Sequence, residues 1–169
     1  MDQIIAYLNK WKTREKTADR VQFMMDTYIQ VRRGLPKWRF TEGRQRLGSW
    51  DPMYCAFAAT PFPGDDWFIL RLVKEDKSFA VGFCPDYGDQ GPNGKKTHPA
   101  TARRSEIRKE LLKIEDFPLE VSKPEIPKRK IHAFKGFERK LPPMRSPEEL
   151  AELFIRTVLE WEKLFKPLV

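Results

Sequence analysis

Met53-Tyr-Cys-Ala-Phe-Ala-Ala59, Trp67-Phe-Ile-Leu-Arg-Leu-Val73 and Phe79-Ala-Val-Gly-Phe-Cys84 are three apolar runs that follow one another closely, and their reading decides the fold. Between the first two lies Thr60-Pro-Phe-Pro-Gly-Asp-Asp66, which cannot continue a ladder; between the last two lies the charged Lys74-Glu-Asp-Lys77. Short apolar runs separated by turn chemistry predict an antiparallel meander. The middle run is apolar at both parities except at Arg71, so this strand is expected to be covered on both faces. An arginine there needs a partner.

Working outward, residues 2–33 predict helix, because Ile4, Leu8 and Trp11, then Val21, Met24, Met25, Tyr28 and Val31, recur at three- and four-residue steps. The polar stretch from Lys12 to Asp19 is the expected break. Arg32-Arg33-Gly34-Leu-Pro36 ends the helix with cations, then glycine, then proline. Lys37-Trp-Arg-Phe40 alternates as a short edge strand, followed by the basic loop Glu42-Gly-Arg-Gln-Arg-Leu-Gly48.

Beyond the meander, residues 85–99 have the Gly/Pro/Asn content of a long exposed loop. Residues 100–114 predict a helix with Ile107, Leu111 and Ile114 inward and Arg103, Arg104, Arg108 and Lys109 outward. Residues 117–143 are extended and proline-punctuated, with a further strand at Lys130-Ile-His-Ala-Phe134. In the last helix Ser146 is the N-cap, Pro147 holds the first helical position and Glu149 completes a capping box. Leu150, Leu153, Phe154, Thr157, Val158, Trp161, Leu164 and Phe165 share its inner face. The expectation is one α+β domain over residues 1–169: a curved, mostly antiparallel sheet of about five strands packed with three main helices.

The 169 residues suffice to bury a core without a disulfide or a structural metal. Cys55 and Cys84 lie inside apolar runs and read as buried, reduced thiols. No apolar run spans a membrane and no secretory leader is evident, so the expectation is a cytoplasmic protein with no membrane partner. Charge is placed unevenly. Residues 1–50 carry 11 Lys/Arg against 5 Asp/Glu, and residues 100–145 carry 13 against 7, so both flanks of the sheet are basic. A polyanion is the expected partner of such a surface; the alternative is a generally solvated Lys/Arg surface, and two Asn and five Gln beside 14 Pro point to heat adaptation.

Aromatic residues interleave with cations in Lys37-Trp38-Arg39-Phe40, Arg44, Arg46 and Trp50. Rings stack on bases while cations meet phosphates, which makes Trp38, Arg39, Arg44, Arg46 and Trp50 candidate nucleic-acid contacts. The competing reading packs Trp38 and Trp50 beneath the sheet. Lys128, Arg129 and Lys130, with Lys135, Arg139 and Lys140, form a second patch, either phosphate contacts or a solvated face. His98 and His132 have no ligand at metal spacing, and no catalytic residue or cofactor is expected. Asp65 or Asp66 followed by Glu75 and Lys77 mimics the order in metal-dependent nucleases, so that activity stands as an alternative. A protein-interaction domain using the last helix is another.

Gly48-Ser-Trp-Asp-Pro-Met-Tyr-Cys-Ala-Phe57, Trp67-Phe-Ile-Leu-Arg-Leu-Val-Lys-Glu-Asp76, a strand ending near Gly82 and a closing helix with aromatics together resemble the N-terminal DNA-recognition domain of McrB-type, modification-dependent restriction proteins. The resemblance implies a non-catalytic module that flips a modified cytosine from duplex DNA and holds it between side chains, while a separate motor or nuclease acts. It places Tyr54 and Trp67 at two pocket aromatics and Arg71 where an apolar pocket residue would be. The family's tyrosine between two glycines is replaced here by Leu47-Gly48-Ser49-Trp50. Single-stranded DNA binding by aromatic stacking is the alternative, needing no pocket.

Overall fold

Among the described residues the middle apolar run forms β3 (Trp67–Leu72), the central strand of an open five-stranded sheet in which every neighbouring pair is antiparallel. A computed structural model describes residues 2–12, 18–42, 55–73, 78–84, 99–113 and 139–169. The strand order follows the chain: β1 (Arg39–Glu42), β2 (Ala56–Thr60), β3, β4 (Phe79–Cys84) and β5 (Arg139–Lys140). This is the expected α+β meander. The helices are α1 (Gln3–Lys12), α2 (Ala18–Gly34), the single turn α3 (Pro99–Ala102), α4 (Arg104–Lys113) and α5 (Pro147–Phe165).

Register divides the sheet into two unlike faces. Phe57 pairs with Leu70 and Leu70 with Val81, while Ala59 pairs with Phe68 and Phe68 with Phe83. These large side chains merge with the inner faces of α1, α2, α4 and α5 into the main core. The other parity carries Ala56, Ala58, Trp67, Ile69 and Cys84, a separate small cluster to which no described helix contributes. All of β3 is buried except the half-buried Arg71, which matches a strand covered on both sides.

α1 ends at Lys12 and α2 begins at Ala18, and residues 13–17 of the expected break lie outside the described residues. Asp2 meets Tyr28 and Arg32 at one end of the pair, and Lys12 meets Gln22 at the other, so α1 and α2 run antiparallel. Helix α2 also packs along α5, and the buried hydroxyls of Thr27 in α2 and Thr157 in α5 are satisfied within their own helices: Thr27 donates to Phe23 O and Thr157 to Leu153 O, both at 2.7 Å. Returning each hydroxyl to the carbonyl one turn back lets a polar residue sit in an apolar seam.

Ser146 caps α5 as expected, its Oγ accepting the Glu149 amide at 3.2 Å with Pro147 in the first turn. The Glu149 carboxylate reaches past the cap to the Arg145 amide at 2.9 Å. Replacing Ser146 by Ala orphans one amide and is expected to lower stability by about 1 kcal/mol in urea unfolding, with an unchanged denaturant slope.

The expected helix over residues 100–114 is two pieces among the described residues: α3 ends at Ala102, and α4 begins after Arg103, with Ile107 and Leu111 buried as expected, while Ile114 lies outside the described residues. The expected strand at residues 130–134 lies outside the described residues, and the fifth described strand is Arg139–Lys140. Arg139 corrects the reading of a basic patch. Its side chain faces the core side at 2% exposure, and Nη1 donates to Leu111 O at 3.0 Å in the last turn of α4. Burial lowers its pKa, and the carbonyl end of the helix is where a buried cation is best tolerated. It joins α4 to the sheet and is no phosphate contact.

Candidate nucleic-acid interface

β1 is the first strand of the sheet, and its alternation places neighbours on opposite sides. Arg39 and Thr41 point to the side of Trp67, since the Arg39 guanidinium lies over the Trp67 ring and Thr41 pairs with Ala58 of the same face. Trp38 and Phe40 belong to the helix-covered side, where both pack against the main core. Along the edge of this strand runs a groove of about 490 Å3, with Arg39, Thr41 and Trp67 from one face and Trp38 and Phe40 from the other, and with Arg32 and Pro36 completing its lining.

Three residues expected from sequence therefore converge: Trp38, Arg39 and Trp67. Each has a structural duty as well. Trp38 is half-buried and stacks on Phe68, with centroids 5.8 Å apart and planes inclined by 30°, so the competing reading that tucks it under the sheet is partly right. Trp67 is only 3% exposed, so packing accounts for it and it forms the groove floor. The Arg39 guanidinium lies 5.2 Å from the Trp67 ring centroid and donates through Nη2 to Phe62 O at 2.6 Å and Gly64 O at 2.5 Å. These contacts clamp the turn between β2 and β3, where Thr60 Oγ1 also accepts the Phe62 amide at 3.0 Å.

Arg71 stands apart. It shares Trp67's face of β3 but lies four residues further along, about 13 Å away, between Ala56 and Ala80. Arg44, Arg46, Trp50, Tyr54, Lys128, Arg129 and Lys130 lie outside the described residues. So do Glu75 and Lys77 of the nuclease alternative, whose Asp66 is buried. Among the described residues no three His, Cys, Asp or Glu side chains gather as a metal site. No described helix is long and apolar enough to cross a membrane.

Arg32 is a groove residue that the sequence does not single out, and Phe40 enters the sequence reading only as part of the interleaved stretch Lys37–Phe40. Arg32 reads as an ordinary helix-end cation; its partners are remote in sequence. Its Nη1 donates to Asp2 Oδ2 at 2.6 Å and to the Tyr28 hydroxyl, and its guanidinium carbon lies 6.0 Å from the Tyr28 ring centroid and 5.8 Å from that of Phe40. The Tyr28 hydroxyl donates to the same Asp2 oxygen at 2.7 Å, while Asp2 Oδ1 accepts the Ile4 amide at 2.8 Å and so caps α1. Burial acts to raise the Asp2 pKa, but the Tyr28 and Ile4 hydrogen bonds and the Arg32 charge outweigh it and hold the carboxyl below its usual range. Tyr28 is pushed up to about 12, first by burial and then by its bond to Asp2, against the pull of Arg32.

These shifts fix a pH dependence. Because folding raises the Tyr28 pKa from 10.0 to about 12, its contribution is complete below pH 10 and is lost as pH rises through 12. Asp2 acts at the opposite end, its contribution vanishing as pH falls through its depressed pKa. Between pH 10 and 12 the unfolding midpoint of the wild type is expected to fall more steeply than that of Tyr28→Phe, measured by circular dichroism; parallel curves would contradict the network.

No protein-family model, curated protein or solved structure matches this chain.

Proposed function

We propose that this domain is a non-catalytic nucleic-acid-binding module, with DNA as its ligand, that holds an unstacked nucleotide in the groove over β1. The observation that carries the reading is that Trp38, Phe40, Trp67, Arg32 and Arg39 all line one groove along the edge strand β1. Aromatic walls accept the π-face of any base, and guanidinium groups donate paired hydrogen bonds to phosphate oxygens. The excess of basic residues before β2 supplies the long-range attraction that brings a polyanion to this edge.

An unstacked nucleotide arises in two ways, in a single strand or by extrusion from a duplex at a cost of a few kcal/mol. The resemblance to McrB-type targeting domains favours extrusion of a modified base, with the module delivering a separate motor or nuclease to its site. Single-stranded and duplex DNA, with and without modified cytosine, separate the two in anisotropy titrations at 50 mM salt. Preference for single strands assigns stacking alone, and preference for modified over plain duplex assigns extrusion. Affinity weaker than about 100 µM for every DNA would overturn the reading, because nonspecific phosphate contacts alone give that much.

A further inference from the structure

Two cavities meet at Arg32, and they differ in charge. The groove over β1 carries Arg32 and Arg39 among Trp38, Phe40 and Trp67. A second cavity of about 260 Å3 shares Arg32, Phe40 and Thr41 but is otherwise lined by Asp2, Gln3, Ile4 and Glu42. A phosphate is attracted to the first and repelled from the second, so Arg32 is the boundary of the anion-accepting surface.

We propose that Arg32 is a phosphate-binding residue of the groove and that Asp2 is its internal competitor, occupying the guanidinium until nucleic acid displaces it. The inference rests on the nucleic-acid reading above. Two features carry it. The ion pair lies at the surface, with side chains 54% and 28% exposed, and exposed pairs of this kind are worth little, so a phosphate exchanges for the carboxylate at small cost. The guanidinium engages Asp2 and Tyr28 through Nη1 alone among the described residues, and it is already oriented by the Tyr28 and Phe40 rings. Arg39 differs, since one of its terminal nitrogens is spent on two turn carbonyls that a ligand cannot displace without opening the turn.

Exchange of one anion for another on Arg32 frees a carboxylate that draws back part of the cation atmosphere the phosphate releases, whereas phosphate binding to an unpaired Arg32 releases it in full. Asp2→Asn is therefore expected to tighten binding about two- to fivefold at 50 mM salt, the worth of one exposed pair. It also steepens the logarithmic salt dependence by about 0.7 for a single strand. Asparagine keeps the α1 cap, and unchanged circular dichroism checks the fold.

The experiment titrates a fluorescein-labelled short oligothymidylate against wild type, Asp2→Asn, Arg32→Gln and the double variant over a range of salt. Gain and steepening from Asp2→Asn in the wild-type background, absent when Arg32 is already Gln, are the expected result. An equal gain in both backgrounds would mean a general charge effect, and no gain in either would mean no competition; each overturns the inference while wild-type binding leaves the groove reading standing. Failure of the wild type to bind at any salt overturns the groove reading and this inference together.

Discussion

Phe68→Ala is expected to cost about 3–5 kcal/mol of folding stability, about a fifth or more of the total for a domain whose stability is about 5–15 kcal/mol. Phe68 is fully buried and touches rings from four other parts of the fold: Trp38 at 5.8 Å, Phe62 at 5.9 Å, Phe83 at 5.3 Å and Phe165 at 6.2 Å between centroids. Phe83 and Phe165 are themselves stacked at 3.8 Å, so the hole left by alanine has rigid walls that close poorly. Phe68→Leu fills most of the space and is expected to lose less than half as much. Guanidinium unfolding measures both. A loss under about 1 kcal/mol for alanine would mean that the cluster relaxes around the cavity and does not anchor the sheet to α5.

Removing the Trp38 ring is expected to weaken DNA binding by about 1–3 kcal/mol, or about 5- to 150-fold, with little change in salt dependence. Trp38 lies on Phe68 and also lines the groove, leaving ring surface for a base. Stacking is a contact between uncharged surfaces, so its loss changes affinity without changing how many counter-ions are released. Trp38→Phe keeps a flat ring and is expected to recover most of the binding. Equal losses for Phe and Ala would assign the effect to a displaced β1 and not to stacking.

The central architecture was legible because the forces that build it act over a few residues. Apolar runs separated by Pro/Gly/Asp turns produced β2, β3 and β4 at nearly the expected bounds, and the Ser146, Pro147 and Glu149 signature placed the start of α5. β1 was found but shifted, expected at residues 37–40 and observed at Arg39–Glu42, since its register is fixed by pairing with β2. β5 left no local trace, because two residues carry no periodicity and owe their conformation to β4.

The groove was half legible. Trp38, Arg39 and Trp67 were singled out by composition and do meet in space, but their separate duties depend on partners that no short stretch contains. Arg39 reads as a free cation until the carbonyls of Phe62 and Gly64 fold against it. Arg139 is misread for the same reason, since only tertiary structure brings Leu111 to it. Arg32 went unnoticed because Asp2 lies 30 positions away, yet one observation does point to it: an acidic N-cap and a basic helix end become neighbours whenever two helices pair antiparallel.

The groove itself is tested most directly by the indole N–H signals of the protein in a nuclear magnetic resonance titration with single-stranded DNA. Trp38 and Trp67 line the groove, whereas Trp11 and Trp161 are buried in the helical core and serve as internal controls. With signals assigned by single Trp→Phe variants, the expected result is that Trp38 and Trp67 shift on binding while Trp11 and Trp161 stay. DNA that binds without moving Trp38 or Trp67 would contradict a site over β1.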